Sequence, residues 1–420
     1  MSIVLKPAIF ISHSAKEPAS LALLDALEGA LTALGFEVLL DRTRLQAGQL
    51  WRQEIHTWMS RCHGAVILFS KNAYDDSDWV LKEATILSWR LALDPQFTLV
   101  PVLFPPVEGP WLSKGRYEPL ALGEVQAIDS RIAGDVVSRI LARLTPLLRA
   151  CPQTPLDDVL FDIAALLRGV APAALQSIAV KLGKTIPWDP AADTADQFAR
   201  EILHVDLARV KDVMLELQPS IGIDAAVKIV EYVAPYCIDP MIAAPVARVA
   251  LRDPATPPRD AVALNATDAD VGNLHIQRAR QRRLPWIVIP VVAGGGADHA
   301  GSYLRQIREE MSRREDLHDI GVRPALAKAV MNRARLDGDP YFILLQTYVG
   351  PAVLKTLRAE FPDCTLVVLT GDSGTAAYEK KNAGVWLLRP LLDRDAEIDL
   401  IVLLRRAREI ARRPPAQVVR

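Results

Sequence analysis

From residue 7 to residue 129, short apolar and β-branched runs alternate with stretches in which apolar residues recur at helical spacing, the pattern of a parallel sheet with crossover helices. Five strands are predicted, at 7–12 (PAIFIS), 36–41 (FEVLLD), 64–70 (GAVILFS), 97–104 (FTLVPVLF) and 125–129 (VQAID). Helices are predicted over 19–34, 49–61 and 78–93, each opening near a polar or acidic residue suited to a helix N-terminus. Strands and helices in this order imply a flavodoxin-like sheet, with strand order 2-1-3-4-5.

After residue 129 the alternation stops. The segments from Leu156 (LDDVLFDIAALLRGV) and Ala199 (AREILHVDLARVKDVMLEL) carry apolar residues at helical spacing and predict a small helical bundle. A polar stretch from Arg252 to Arg259, with three prolines, reads as a linker. Strand patterns then return at Leu284 (LPWIVIPVVA), Tyr341 (YFILLQT), Cys364 (CTLVVLTG) and Val385 (VWLLRP), which predicts a second α/β domain closed by a helix over 395–412. The fold class is α/β, in three parts: 1–135 as a parallel five-stranded domain, 136–250 as an all-α segment, and 251–420 as a second α/β domain.

Composition narrows what these parts do. Lys and Arg number 49 against 50 Asp and Glu, a formal charge of -1, so the general electrostatic argument for nucleic acid or an anionic membrane surface is missing. The four cysteines, Cys62, Cys151, Cys237 and Cys364, lie far apart, so neither a metal site nor a disulfide framework is expected. Apolar runs are strand-sized and well short of the roughly 20 residues a membrane span needs. No cleavable leader is legible at MSIVLKPAIFIS. A soluble, cytoplasmic protein with no membrane or nucleic-acid partner is expected.

In an open parallel sheet of this order, ligands bind at the carboxyl ends of strands one and three, where the winding reverses. The residues leaving strand one are Ser12, His13 and Ser14, and those leaving strand three are Ser70, Lys71 and Asn72. The nearby helix opens Asp78-Trp79-Val80-Leu81-Lys82-Glu83, with Trp79 and Glu83 four apart and so on one face. A carboxylate in the first turns of a helix also serves the helix dipole, and an indole also serves packing, so the pair alone has two readings.

Three boxes in order give the pair a context. Ala8-Ile9-Phe10-Ile11-Ser12-His13-Ser14 is similar to the first-strand box of TIR domains, and Asp41-Arg42-Thr43-Arg44-Leu45-Gln46-Ala47-Gly48 followed by Trp51 resembles their loop after strand two. Ser77-Asp78-Trp79-Val80-Leu81-Lys82-Glu83 resembles the W-x-x-x-E segment of the TIR enzymes that consume NAD, and the resemblance extends from residue 7 to residue 129. It implies that Glu83 is the catalytic residue and that Trp79, His13, Ser14, Ser12 and Ser70 line the substrate site. By the same resemblance Arg44, Leu45, Gln46 and Gly48 form the loop that completes a neighbouring copy's site, which makes the enzyme a homo-oligomer. NAD is then the substrate and not a cofactor, and no metal is required. Where several NAD-cleaving relatives have an aromatic residue and an arginine after strand one, this chain has His13 and Ser14, so diphosphate binding is the part of the pattern least supported.

The family's chemistry suits so sparse a site. Nicotinamide leaves NAD as a neutral base without taking up a proton, so no general acid is needed. Charge developing on the ribose is what a carboxylate stabilises, as in glycoside hydrolysis. The implied function is a signal-gated NAD glycohydrolase of bacterial anti-phage immunity, releasing ADP-ribose or a cyclic isomer. The alternative is a TIR adaptor that recruits other TIR proteins without catalysis.

The C-terminal part would then receive the signal. After its strand from Leu284 comes a glycine run in which Gly296 and Gly301 have the G-x-x-x-x-G spacing of a phosphate loop, but Ser302 and Tyr303 stand where Lys and Ser or Thr would hold phosphate and magnesium. The strand from Tyr341 ends without an aspartate for magnesium. The region resembles inactive STAND-like NTPase modules. A tight strand-to-helix turn is the other reading of the same glycines.

Overall fold

Strands buried on both faces need helices on both faces, and the N-terminal region supplies them. The computed structural model describes residues 6–412 apart from 15, 17, 42–50, 95, 133–134, 151–153, 183–192, 204, 251–260, 281–285, 293–298, 315–340, 347–348, 363, 372–377, 379–384 and 390. The chain divides into two units, Met1–Val159 and Leu160–Arg420.

In the first unit, β1 (Ala8–Ser12), β2 (Glu37–Leu39), β3 (Gly64–Phe69), β4 (Thr98–Leu103) and β5 (Ile128–Asp129) form one sheet in the order β2-β1-β3-β4-β5, parallel throughout. The flavodoxin-like order expected from the sequence is the one observed. Alternate residues of the strands, Ile9, Ile11, Val66, Leu68, Val100 and Val102, pack with Leu24, Leu27 and Leu31 of α1 (Pro18–Ala33) and with Ile140 and Leu144 of α5 (Val136–Leu144). Helices α2 (Trp51–Arg61), α3 (Lys71–Asp75) and α4 (Asp78–Leu93) also belong to this unit. Gly64 opens β3 at a point where a Cβ would lie 3.0 Å from the Thr98 carbonyl oxygen and 3.1 Å from Leu147, so close backbone approach requires glycine there. Short helices α6 (Pro146–Ala150) and α7 (Pro155–Leu167) follow, α7 spanning the division between the units.

The second unit contains α8 (Pro172–Lys181), α9 (Thr194–Leu203), α10 (Leu207–Ile221), α11 (Ile223–Val233) and α12 (Pro240–Ala250), with no strand between Leu160 and Ala250 among the described residues. A second parallel sheet follows, built from β6 (Ala261–Leu264), β7 (Ile287–Val291), β8 (Tyr341–Leu345), β9 (Thr365–Leu369) and β10 (Val385–Leu387) in the order β10-β6-β9-β8-β7. One face is covered by α14 (His299–Arg314) and α15 (Pro351–Glu360), whose Tyr303, Ile307, Leu354 and Leu357 join the strand side chains in one core. Helix α13 (Ala269–Arg280) packs against β7, β8 and β9 and against α12, and the last helix, α16 (Arg394–Ala411), packs against α10, α11 and α13. Strand β6 escapes the sequence pattern: it is four residues long, half alanine, and directly follows the Pro-rich stretch.

Among the described residues no single helix is long and apolar enough to cross a membrane. One bent pair, Leu156–Leu167 with Pro172–Lys181, meets the length and composition test only jointly.

Candidate active site

Helix α4 is fixed at both ends. Ser77 caps its start by accepting a hydrogen bond from the Val80 amide at 3.1 Å, and Asp78 places a carboxylate in the first turn. Near its far end Arg90, fully buried, donates to the carbonyl oxygens of Met59 (2.7 Å), Ser60 and Cys62 (3.1 Å) at the end of α2. A guanidinium planted on the last carbonyls of a neighbouring helix satisfies groups that the helix itself leaves open, and its charge suits that end of the dipole. Helices α2 and α4 are thereby locked together, which sets what stands beside the first turns of α4.

Glu83 points inward and is 4 % exposed. Its Oε2 accepts a hydrogen bond from the Ser12 hydroxyl, and Ser12, the last residue of β1, pairs with Ile67 of β3. The carboxyl therefore lies at the carboxyl end of the two strands that flank the reversal in winding. Burial pushes its pKa up to about 8, against the Ser12 hydrogen bond that pulls it down, and the charge on Asp41 adds to the rise. Trp79 is half-buried and stacked on His56 of α2, with ring centroids 6.2 Å apart and planes 15° from parallel; Lys82 Nζ lies 5.8 Å from the same indole.

The three residues leaving β1 are tied to three different elements. Ser12 reaches Glu83 on α4, His13 Nδ1 lies 3.9 Å from Asp41 Oδ1 beyond β2, and Ser14 donates to Asn72 Oδ1 on α3 at 2.7 Å. Ser70, fully buried, caps α3 by accepting from the Ala73 amide at 3.2 Å. Ser12, His13, Ser14, Ser70, Trp79 and Glu83 are therefore gathered around the ends of β1 and β3. Arg44, Leu45, Gln46 and Gly48 lie outside the described residues. Asn72, expected from the sequence among the residues leaving strand three, is brought to Ser14, whereas His56 escaped the sequence reading as a neighbour of the site. Its contact joins helices distant in the chain, and no local pattern marks it.

In the second unit the strand before the glycine run is an edge strand, β7. Gly296 is outside the described residues, and Gly301 and Ser302 lie in the first turn of α14. An anion-holding arrangement occurs elsewhere, after β6. Glu397 of α16, 3 % exposed, accepts hydrogen bonds from the amides of Thr267 (2.6 Å) and Asp268 (3.2 Å) and from the Thr267 hydroxyl (3.2 Å), at the entry to α13. Asn265 exchanges two hydrogen bonds with the Leu392 backbone, and Arg405 pairs with Asp268 at 2.9 Å. No group of three or more His, Cys, Asp or Glu side chains among the described residues is placed to hold a metal ion.

The N-terminal unit is thus a doubly wound parallel sheet with an acid and an indole set at its reversal point. Residues 9–141 match the family model described as TIR domain, so the N-terminal third of the chain is a TIR domain. Among curated proteins no match to the chain is found. A TIR domain is compatible with NAD cleavage and with adaptor work alike.

Proposed function

We propose that the chain is a signal-gated NAD glycohydrolase in which Glu83 is the catalytic carboxylate. The observation that carries this reading is the position of that group: an acid buried at the carboxyl end of β1, its pKa pushed up to about 8, hydrogen-bonded by Ser12 at the place where this sheet order receives ligands. Structural acids are usually solvated or paired with a cation, and Glu83 is neither solvated nor, among the described residues, hydrogen-bonded by a cationic side chain.

The chemistry follows from charge. Nicotinamide carries its positive charge on the ring nitrogen bonded to ribose C1′. Brought beside Glu83, that charge favours the ionised carboxylate and lowers its pKa, so the substrate itself converts the resting acid into the working anion. As the C1′–N bond breaks, its electron pair leaves with neutral nicotinamide and positive charge moves onto the ribose ring, where the carboxylate stabilises it. Water then adds at C1′ and loses a proton to solvent, giving ADP-ribose; capture by a nucleophile within the same molecule gives a cyclic isomer. Ser12, His13, Ser14 and Ser70 are substrate contacts in this proposal, Trp79 is a flat wall, and Arg44 to Gly48 completes the site of a neighbouring copy. The C-terminal α/β part, residues 251–420, a STAND-like module without nucleotide hydrolysis, supplies the trigger for assembly of the TIR domains in the cytoplasm, in antiviral defence.

Adaptor function is the second reading, favoured by the sealing of Glu83 within its own fold. Forced oligomers of the full chain, intact and Glu83→Gln, separate the two when NAD and nicotinamide are followed. Loss of NAD in the intact oligomer alone supports catalysis, and untouched NAD in both supports the adaptor.

A further inference from the structure

The carboxyl that would act on NAD is out of reach in the lone chain, and the structure points to what keeps it there. Ser12, His13 and Ser14 are consecutive, yet their side chains engage α4, the residue beyond β2 and α3 respectively. Two of these contacts lie on the β3 side of β1. Ser12 closes on Glu83 from within, and Ser14, 8 % exposed, closes on Asn72 nearer the surface. The Ser14–Asn72 bond joins the loop leaving β1 to the first turn of the helix following β3. It therefore spans the crevice that a doubly wound sheet opens between those strands, the entry route for a ligand. Asn72 is itself steadied from the other side, its Nδ2 donating to Asp76 Oδ2 at 3.1 Å.

We propose that the Ser14–Asn72 hydrogen bond is a latch across the mouth of the crevice, holding the exit loop of β1 closed over Glu83, and that NAD enters only when this bond parts. The proposal rests on the NAD-cleaving reading of Glu83. It follows that Ser14 has two alternating partners, Asn72 in the closed form and the substrate in the open form. A neutral hydrogen bond of ordinary net strength favours the closed form by about fivefold, rising to roughly tenfold for a well-made one. Such a latch is weak enough for a ligand or a neighbouring copy to displace, and strong enough to suppress turnover by an isolated chain.

Three variants of the full chain test this: Asn72→Ala, which removes the acceptor; Ser14→Ala, which removes the donor and covers the case in which the first fails to fold; and Asp76→Ala, which takes away only the support behind Asn72. Hydrogen exchange is read on residues 8–14 and 71–76. With the latch, Asn72→Ala and Ser14→Ala speed exchange in both segments, and Asp76→Ala affects only the second. If exchange in residues 8–14 does not change in either latch variant, the proposal is overturned, whatever the enzyme does. Turnover is measured on the same proteins. Asn72→Ala raises NAD cleavage by the unassembled chain about fivefold; where intact oligomers consume NAD, no gain in the unassembled chain counts against the latch. Faster exchange combined with intact oligomers that never consume NAD separates the two claims, keeping the latch and removing the function assigned to Glu83.

Discussion

Each of the two parallel sheets ends in a buried glutamate, and the two are held very differently. Glu397 is met by two backbone amides and a hydroxyl, with Arg394 Nη1 3.8 Å from its other oxygen. Amides at a helix entry are fixed donors aimed at negative charge, and through them the carboxyl ties the last helix to the loop after β6. Glu83 has a serine hydroxyl as donor and the charge of Asp41 near it, and its pKa is pushed up to about 8. The first arrangement is what a structural acid requires. In the second, desolvation outweighs the hydrogen bond offered, and folding leaves a strained ionisation that a cationic ligand would relieve. Burial is common to both acids; the donors that meet them are not.

The largest effect that could break this contrast is on turnover. Glu83→Gln in forced oligomers is expected to lower NAD consumption by about a hundredfold or more, the scale of losing one stabilising group at a developing charge, with folding retained. A variant that keeps its activity would reduce Glu83 to a packing residue. Next is Glu397→Ala, which strands the Thr267 and Asp268 amides and is expected to cost about 2–4 kcal/mol in urea unfolding of the second unit. A loss within error would mean that α16 is anchored by its apolar contacts instead.

The third concerns pH. In the folded chain Glu83 holds its proton up to about pH 8, above the ordinary value of 4.5, so the folded state binds the proton more tightly than the unfolded one. Its contribution is fully present below pH 4.5 and is lost as pH rises through 8. Denaturant unfolding should therefore show intact protein losing about 2–4 kcal/mol between pH 5 and pH 9 relative to Glu83→Gln, which carries no titrating group at that position. Parallel profiles for the two proteins would contradict the buried acid. The smallest effect sharpens the same point. Ser12→Ala removes a donor that pulls the Glu83 pKa down, so the carboxyl titration followed by NMR should move upward by up to about one unit.

Much of this was readable from the chain because parallel strands buried on both faces write continuous apolar runs. β1, β3 and β4 of the first sheet, and β7, β8, β9 and β10 of the second, all fall inside predicted runs. Helix α4 coincides with its predicted bounds, since Ser77 and Asp78 mark its start and Asp94-Pro95 its stop. β6 was missed because Ala-Val-Ala-Leu has neither the length nor the β-branched content of a strand signal, and its strand character comes from its neighbours Val367 and Val385. In the site, W-x-x-x-E spacing put Trp79 and Glu83 on one face. The Ser12–Glu83 and Ser14–Asn72 hydrogen bonds, the His56 stack and the Glu397 anchor each join residues remote in sequence, and local pattern carries no record of such pairs.

The placing of β6 has a bearing on how the protein is made. It sits between β9 and β10, so the residues that pair with it leave the ribosome about a hundred positions or more after it does. Every strand of the N-terminal sheet has by then been synthesised, Glu83 included. A nascent chain halted between Arg280 and Cys364 would therefore carry a finished N-terminal sheet beside a strand with both edges bare, a product open to aggregation and to proteases at its unfinished end.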